Sequence, residues 1–412
     1  MKKRITIGTA VAVALLTAIL TFQITYVLTL GYAQDKYSVR GVSDSQFINN
    51  AVNRLTELDS AYRQNYIGKI DDEKLLDSIL KGYVEGTGDL YGYYFNADEL
   101  SDYMADINGQ GVGVGVSVIY NTEHKCIEII NVYPDSPALE AGLEVGDLIV
   151  YVGEDKTSVS EIGYEAAINL IRGDEGTEAV LHVLRGDASE SKEYRIKRAQ
   201  ITEMSVLPRV STLDETVGII KVTSFDTTTS EQFIKAVESL VEQGCDKFVF
   251  DMRNNPGGEL MSVVKTLDYL LPEGPIIRIF DADGKQLDAN NEAYKSKAEC
   301  INYPMAVIVN DGTASAAELF TSALMDYNKA TVVGEITYGK GSMQTTLPLT
   351  DGGALKLTYR LYKPPYSEGY DGVGITPDVL VSLSEEAANK NIFKLTDEED
   401  DQLLAAIASF KN

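Results

Sequence analysis

Two histidines, three cysteines and a shortage of basic residues remove several kinds of chemistry from this 412-residue chain at once. His124 and His182 lie apart in the strand-like stretches "EHKCI" and "VLHVL", so neither has a metal-ligating neighbour and a serine nucleophile has no ordinary histidine base to call on. Cys126, Cys245 and Cys300 show no CxxC or Cys/His metal spacing, and their odd number leaves at least one thiol free. Cys126 and Cys245 border apolar runs and read as buried thiols. No metal and no other cofactor is expected. With 36 Lys and Arg against 62 Asp and Glu the net charge is −26, which argues against any nucleic-acid partner because phosphate binding needs clustered cations. The glycines of "NGQGVGVGVSVIY" do not spell G-x-G-x-x-G, since Val114 and Val116 interrupt them, so no dinucleotide loop is expected. There are no internal repeats and no low-complexity linker.

What is present begins with a membrane signal. After Met1-Lys-Lys-Arg4 no charged residue appears from Ile5 to about Ala33, long enough for a helix to cross a bilayer, and the basic start keeps that end in the cytosol. A cleaved signal peptide would have a shorter apolar run and a small-residue cleavage site, so residues 1–35 read as an uncleaved signal anchor, with a cleaved signal as the second option. Everything after about residue 35 is then expected outside the cytoplasm.

Residues 36–105 carry helical periodicity, with Phe47, Ala51, Leu55, Leu58 and Tyr62 at three- and four-residue steps and an acidic helix start in "DDEKLLDSILKGYV". The pattern changes at Val112, Val114, Val116 and Val118, whose alternation with small residues is that of a strand. A strand, a short helix "SPALEAGL", a turn "VGD", a strand, a longer helix near 160–172 and a last strand then fill a module over 106–198. This module resembles a PDZ domain, chiefly through "DSPALEAGLEVGDLIVYVGED" at 135–155. PDZ domains add an extended peptide to a sheet edge and capture its terminal carboxylate, which by analogy makes Gly111, Val112, Gly113 and Val114 the peptide-binding segment.

From 199 to 385 short apolar strands such as "VGIIKVTSF", "CDKFVFDM" and "YPMAVIVN" alternate with helices, the pattern of an α/β domain. An amphipathic helix closes the chain over 386–412, its acidic start "TDEEDD" matching the helix dipole. The stretch "DADGKQLD" at 281–288 lacks the sixth-position glycine and closing glutamate of a calcium loop and reads as a turn. In "GTASAAELFTSALM" Ser315 stands where a buried strand turns into a helix, at the sheet edge where open α/β sheets place ligands. That position suits a nucleophile and equally suits an N-cap. Lys340 in "TYGKGSMQTTLPL" stands between two glycines, without an acidic neighbour in sequence. It would serve as a base only if desolvated. Gln344, four residues on, falls on the same side in helix or strand and would orient the amine.

Taken in order, "DMRNNPGGEL", "GTASAAEL", "YGKGSMQ" and "GVGITPDV", with a PDZ-like module upstream, resemble the carboxyl-terminal processing peptidases, or tail-specific proteases, over residues 45–385. The resemblance implies a multidomain α/β (α+β) architecture with a ClpP/crotonase-like core and a serine endopeptidase that recognises protein carboxyl termini. Ser315 would be the nucleophile, Lys340 the general base, Gln344 its orienting partner, and the N–H of Ala316 together with that of Gly257 or Gly258 the oxyanion donors. Arg172, at the end of the longer PDZ helix, is a candidate for coupling tail binding to the core. Expected partners are protein or peptide substrates with free carboxyl termini, an activating or regulatory protein, a second copy in a homodimer, and the bacterial cell membrane, crossed once. The family stretch before the PDZ module is "DPYS.Y", where this chain has "DLYGYYF" at 89–95. The alternative is a tail-binding PDZ scaffold on an inactive protease fold.

Overall fold

The computed structural model describes residues 46–287, 291–297 and 299–410. The anchor expected over residues 1–35 lies outside the described residues; within them no helix is long and apolar enough to cross a membrane. Contacts divide the chain into two units, 1–76 and 77–412.

In the first unit helix α1 (Gln46–Asn65) follows the periodicity of its sequence and buries nothing: Phe47, Val52, Leu55, Leu58 and Tyr62 are all exposed. Arg63 forms ion pairs with Asp59 on its own helix and with Asp72, which opens α2 (Asp72–Glu85).

The second unit takes up α2 from Asp77 and continues with strand β1 (Tyr93–Phe95) and helix α3 (Ala97–Ile107). Asn96 and Glu99 form a capping box at the start of α3. Strand β2 (Gln110–Gly113) leads into the PDZ sheet, built in the order β3 (Val116–Asn121), β4 (Cys126–Val132), β5 (Leu148–Val152), β6 (Glu178–Leu184) and β7 (Lys192–Lys197). Its core is Ile127, Ile129, Leu143, Ile149, Leu181 and Ile196. The "SPALEAGLEVGD" signature has a mechanical reading. Ser136 caps the short helix α4 (Pro137–Ala141), Gly142 ends it with φ +81°, and buried Asp147 holds Arg185 through two bonds of 2.6 and 2.7 Å. The longer helix α5 (Tyr164–Ile171) is joined to β3 at its start, where the Tyr164 hydroxyl donates to the Val118 carbonyl at 3.3 Å.

Strand β8 (Ala199–Thr202) returns from the module and pairs with β2, so Gly111, Val112 and Gly113 oppose Ile201, Gln200 and Ala199. Of the segment expected to bind peptide, β2 belongs to a two-stranded connector, and the strand at the edge of the PDZ sheet is β3, which starts at Val116. Val114 is buried in the PDZ core just before it. A period of two runs unbroken through both strands, and the glycines between them gave no sign of where the chain changes partners.

The α/β core is a six-stranded sheet in the order β9 (Val206–Val210), β10 (Val217–Val222), β11 (Lys247–Asp251), β13 (Met305–Val309), β14 (Ala330–Gly334) and β17 (Val379–Leu380). All neighbours are parallel except β9 and β10. Strands β10 and β13 are buried along their whole length, as covering a parallel sheet on both faces requires. Ile220, Phe248, Phe250 and Val307 face helices α6 (Thr229–Glu242), α7 (Leu260–Leu270) and α8 (Ala316–Asp326) around Phe233 and Phe320, while Val217, Ile219, Val249 and Ile308 face α9 (Asp401–Ser409). A second, antiparallel sheet pairs the hairpin β15 (Ser342–Pro348) and β16 (Ala354–Lys363) with β1 and with β12 (Arg278–Phe280).

Helix α9 is fastened by charge as well as by apolar contact. Arg253, 4% exposed just beyond β11, donates to Asp251 at 2.7 and 3.0 Å, to Asp400 at 2.7 and 3.0 Å, and to Gln402 at 3.1 Å. Lys221 shares Asp251 at 3.3 Å. Burial works against the Asp251 carboxylate, but Arg253 and Lys221 outweigh it and hold it below the usual carboxylate range. The acidic run that opens α9 is therefore more than a favourable dipole end: Asp400 caps the helix and Asp397 pairs with Arg209 at 2.6 Å. Truncating one member of such a buried set strands the others. Arg253→Ala is expected to destabilise the fold by about 3–5 kcal/mol, read from urea unfolding.

Candidate active site

Two loops meet at the carboxyl edge of the core sheet, one leaving β11 and one leaving β13. The Asn310 side chain accepts the Asn254 N–H at 2.8 Å and returns a bond to Asn254 Oδ1 at 2.8 Å. The Thr313 hydroxyl donates to the Met252 carbonyl at 2.9 Å, and the Ala314 N–H to the Asn255 carbonyl at 2.9 Å. Polar residues at these strand ends are thus spent on joining the loops, which explains the density of Asn, Thr and Gly in both.

Ser315 sits where the second loop becomes α8, with φ +54° and ψ −117°. That backbone costs an L-residue on the order of 1–3 kcal/mol and persists only where its surroundings hold it. Gly257 packs against it so closely that a Cβ there would lie 2.8 Å from the Ala314 carbonyl, the Ala316 nitrogen and the Ser315 Cβ. A Cβ on Gly258 would strike the Phe225 carbonyl at 1.9 Å. The two glycines differ in one respect. The Gly257 N–H is spent on Asn255 Oδ1 at 2.8 Å, whereas among the described residues the N–H groups of Gly258 and Ala316 have no acceptor.

The residue that assembles the site is Glu318, one turn into α8 and fully buried. Its carboxylate accepts the Ser315 N–H at 2.9 Å, the Lys340 N–H at 2.7 Å, the Gly339 N–H at 2.7 Å and the Thr337 hydroxyl at 2.5 Å. One side chain thereby fixes the backbone of the serine and that of the lysine together. Gly339, with φ +89°, lets the lysine loop pass against Gly374, where a Cβ would meet the Gly374 nitrogen at 2.7 Å. The Tyr362 hydroxyl donates to the Lys340 carbonyl at 2.8 Å and neighbours the Ser315 side chain.

The Lys340 ammonium lies over the Tyr91 ring, 4.2 Å from its centroid, and no hydrogen bond joins it to Ser315 Oγ among the described residues. Burial pushes the amine below the ordinary lysine range, the like charge of Lys356 adds to this, and Asp89 and Glu318 pull the other way. Gln344 uses its amide N–H groups on Ser342 Oγ at 3.2 Å and Thr358 Oγ1 at 3.1 Å, so its carbonyl oxygen stays available to accept from an amine. The two histidines are elsewhere: His182 is buried in the PDZ sheet beside the Gly153 carbonyl, and His124 is on that module's surface. Arg172 is exposed and acts on Asp106 and Glu203, where α3 meets the connector; burial and Asp106 push the Glu203 carboxyl up while Arg172 pulls it back. Among the described residues no group of His, Cys, Asp and Glu could hold a metal ion.

Glu318, Asp89, Tyr91 and Lys356 were missed by sequence reasoning. Glu318 was visible three residues after the serine, but a glutamate in the first turn of a helix is so ordinary that its four-donor role leaves no signal. Glu318→Gln turns one acceptor oxygen into a donor facing two N–H or O–H groups. The expected result is a loss of about 2–4 kcal/mol in urea unfolding, with kcat reduced at least about 100-fold in a variant that is still folded under assay conditions.

The matches to known proteins follow the same division. Residues 216–381 match the model of peptidase family S41, and residues 128–185 match that of the PDZ domain. The chain is 30% identical over 378 residues to the carboxy-terminal processing protease CtpA of Bacillus subtilis, covering 91% of this chain and 77% of that one. It is 31% identical over 398 residues to a probable CtpA-like serine protease of Staphylococcus aureus, covering 95% and 76%. Among solved structures, a putative S41 protease from Bacteroides fragilis superposes with a TM-score of 0.55 at 18% identity, over 86% of this chain and 97% of that one, a likeness of fold. With a serine and a lysine tied to one buried carboxylate in its core and a PDZ module before it, the chain belongs to peptidase family S41 and is a serine peptidase of the carboxyl-terminal processing type.

Proposed function

We propose that this peptidase is anchored in a bacterial cell membrane with its catalytic part outside the cytoplasm, and that it cuts proteins held by their carboxyl termini. The observation that carries the catalytic half of this reading is the Glu318 carboxylate, which couples Ser315 to Lys340 in a site without histidine. In the working state neutral Lys340 takes the Ser315 proton as Oγ attacks the scissile carbonyl. The N–H groups of Ala316 and Gly258 hold the oxyanion, since the Gly257 N–H is already engaged. Lys340 then protonates the leaving amine, and water hydrolyses the acyl-enzyme. Gln344 orients the amine through its carbonyl oxygen once Nζ turns from Tyr91 toward the serine. The uncharged stretch Ile5–Ala33 behind three basic residues supports the anchor. The exposed apolar stripe of α1 supports pairing with a second copy or a regulatory protein, and the open edge of β3 supports capture of a tail, with Arg172 relaying its arrival. The scaffold alternative has no observation in its favour.

The test is cleavage of fluorescently labelled casein by the full chain. Ser315→Ala and Lys340→Ala are each expected to lose at least about a thousandfold in kcat. Full activity in either variant rejects the assignment. A base with a lowered pKa is neutral above that value, so kcat/KM is expected to rise with pH through a midpoint below the ordinary lysine value of about 10.4. Lys356→Met removes a like charge that disfavours the protonated amine, and the rising limb is expected to move to higher pH.

A further inference from the structure

The turn before β1 has no part in the chemistry so far, yet it brings an aromatic ring to within 4.2 Å of the catalytic amine. We propose that Tyr91 is the positioning residue for Lys340: its ring is the seat from which the amine turns to the serine and the screen that keeps water from it. This rests on the reading of Lys340 as the base.

Three observations converge. The Nζ to centroid distance of 4.2 Å is a close cation–π contact, made by a ring that is half-buried. The ring is held firmly. The Asp89 carboxylate accepts the Tyr91 N–H at 3.1 Å, the Thr358 N–H at 2.7 Å and the Thr358 hydroxyl at 2.8 Å, and β1 pairs with Ala354, Leu355 and Lys356. The same Thr358 hydroxyl accepts from Gln344, so one carboxylate places both the seat of the amine and the amide that orients it. Third, a cavity of about 530 Å³ opens alongside, lined by Asp89, Tyr91, Gly339, Thr358 and Asp371 among others. Tyr91 lines it and carries the Lys340 amine on its ring.

The groups facing Nζ are Lys356 from β16, Asp89 from the turn, Glu318 from α8 and the ring itself. Tyr338 and Asp371 also neighbour Tyr91, and burial, then Tyr338, pushes its phenol up to about 12, so it stays neutral as a screen. The ring acts on the amine in two opposed ways. Its face favours the ammonium, while the exclusion of water disfavours it and prevails. Removing the ring lets water in, the amine holds its proton more tightly, and the neutral base becomes scarce near neutral pH.

The experiment compares the wild-type full chain with Tyr91→Phe, Tyr91→Leu and Tyr91→Ala on labelled casein across a pH series, with rates expressed per folded molecule from circular dichroism. Tyr91→Phe keeps the ring and is expected to keep the wild-type profile. Tyr91→Ala is expected to lower kcat at neutral pH roughly tenfold or more with little change in KM, to move the rising limb to higher pH and to recover at alkaline pH. Tyr91→Leu, with bulk but no ring face, is expected to keep the limb near its wild-type position while lowering kcat, and it decides the matter if the alanine variant does not fold. Wild-type kcat in the leucine variant, an unshifted limb in the alanine variant, or a phenylalanine variant as impaired as alanine overturns the proposal. Ser315→Ala and Lys340→Ala run alongside: if they cut casein the catalytic assignment itself has failed, whereas if they are silent and the ring variants behave as wild type, only the role of Tyr91 has.

Discussion

Everything at the catalytic edge depends on one buried carboxylate being able to accept four hydrogen bonds. Glu318 reaches the first backbone N–H before its helix and three donors of the lysine loop, groups that come from opposite ends of β14 in the chain. Without it the serine has no reason to stay at φ +54°, and the lysine loop has no fixed height above the sheet. The arrangement is economical in charge. A negative group placed close to the base opposes its loss of a proton, yet here its lone pairs are committed to N–H and O–H donors, and the burial of the amine prevails.

The sheet beneath supplies the rigidity that this carboxylate requires. Strands β10, β11 and β13 bring three loops to one edge, and their covered faces give the loops nowhere to relax. Beside them the ladder from Asp400 through Arg253 to Asp251 and Lys221 fastens the loop of the two glycines from below. Charge is used at the base of the loop and hydrogen-bonded asparagine and threonine at its top, while among the described residues the N–H groups of Gly258 and Ala316, which flank Ser315, have no acceptor.

Much of this was legible in the residues. The α/β alternation, the PDZ-like turn around Asp147 and the placement of Ser315 at a strand-to-helix corner follow from local pattern, because each depends on neighbours within a few positions. The edge strand of the PDZ module was read too early, since alternation continues from Val112 to Val118 across a change of partner. What could not be read was contact between distant segments. Lys340 has no acid near it in sequence but has Asp89 and Glu318 near it in space, and Thr358 joins Gln344 to a carboxylate 269 residues earlier. Such pairings belong to the tertiary fold and leave no periodicity behind.

The bond from Arg253 to Asp400 spans 147 residues, and it bears on the order in which the loop of the two glycines gains its support. While the chain is still being made, Arg253 emerges with Asp251 alone, and the loop above it is without half of its support. Residue 400 must follow before the arginine is fully paired. A loop whose floor is closed by a helix 147 residues downstream cannot be fully braced until that helix has followed it.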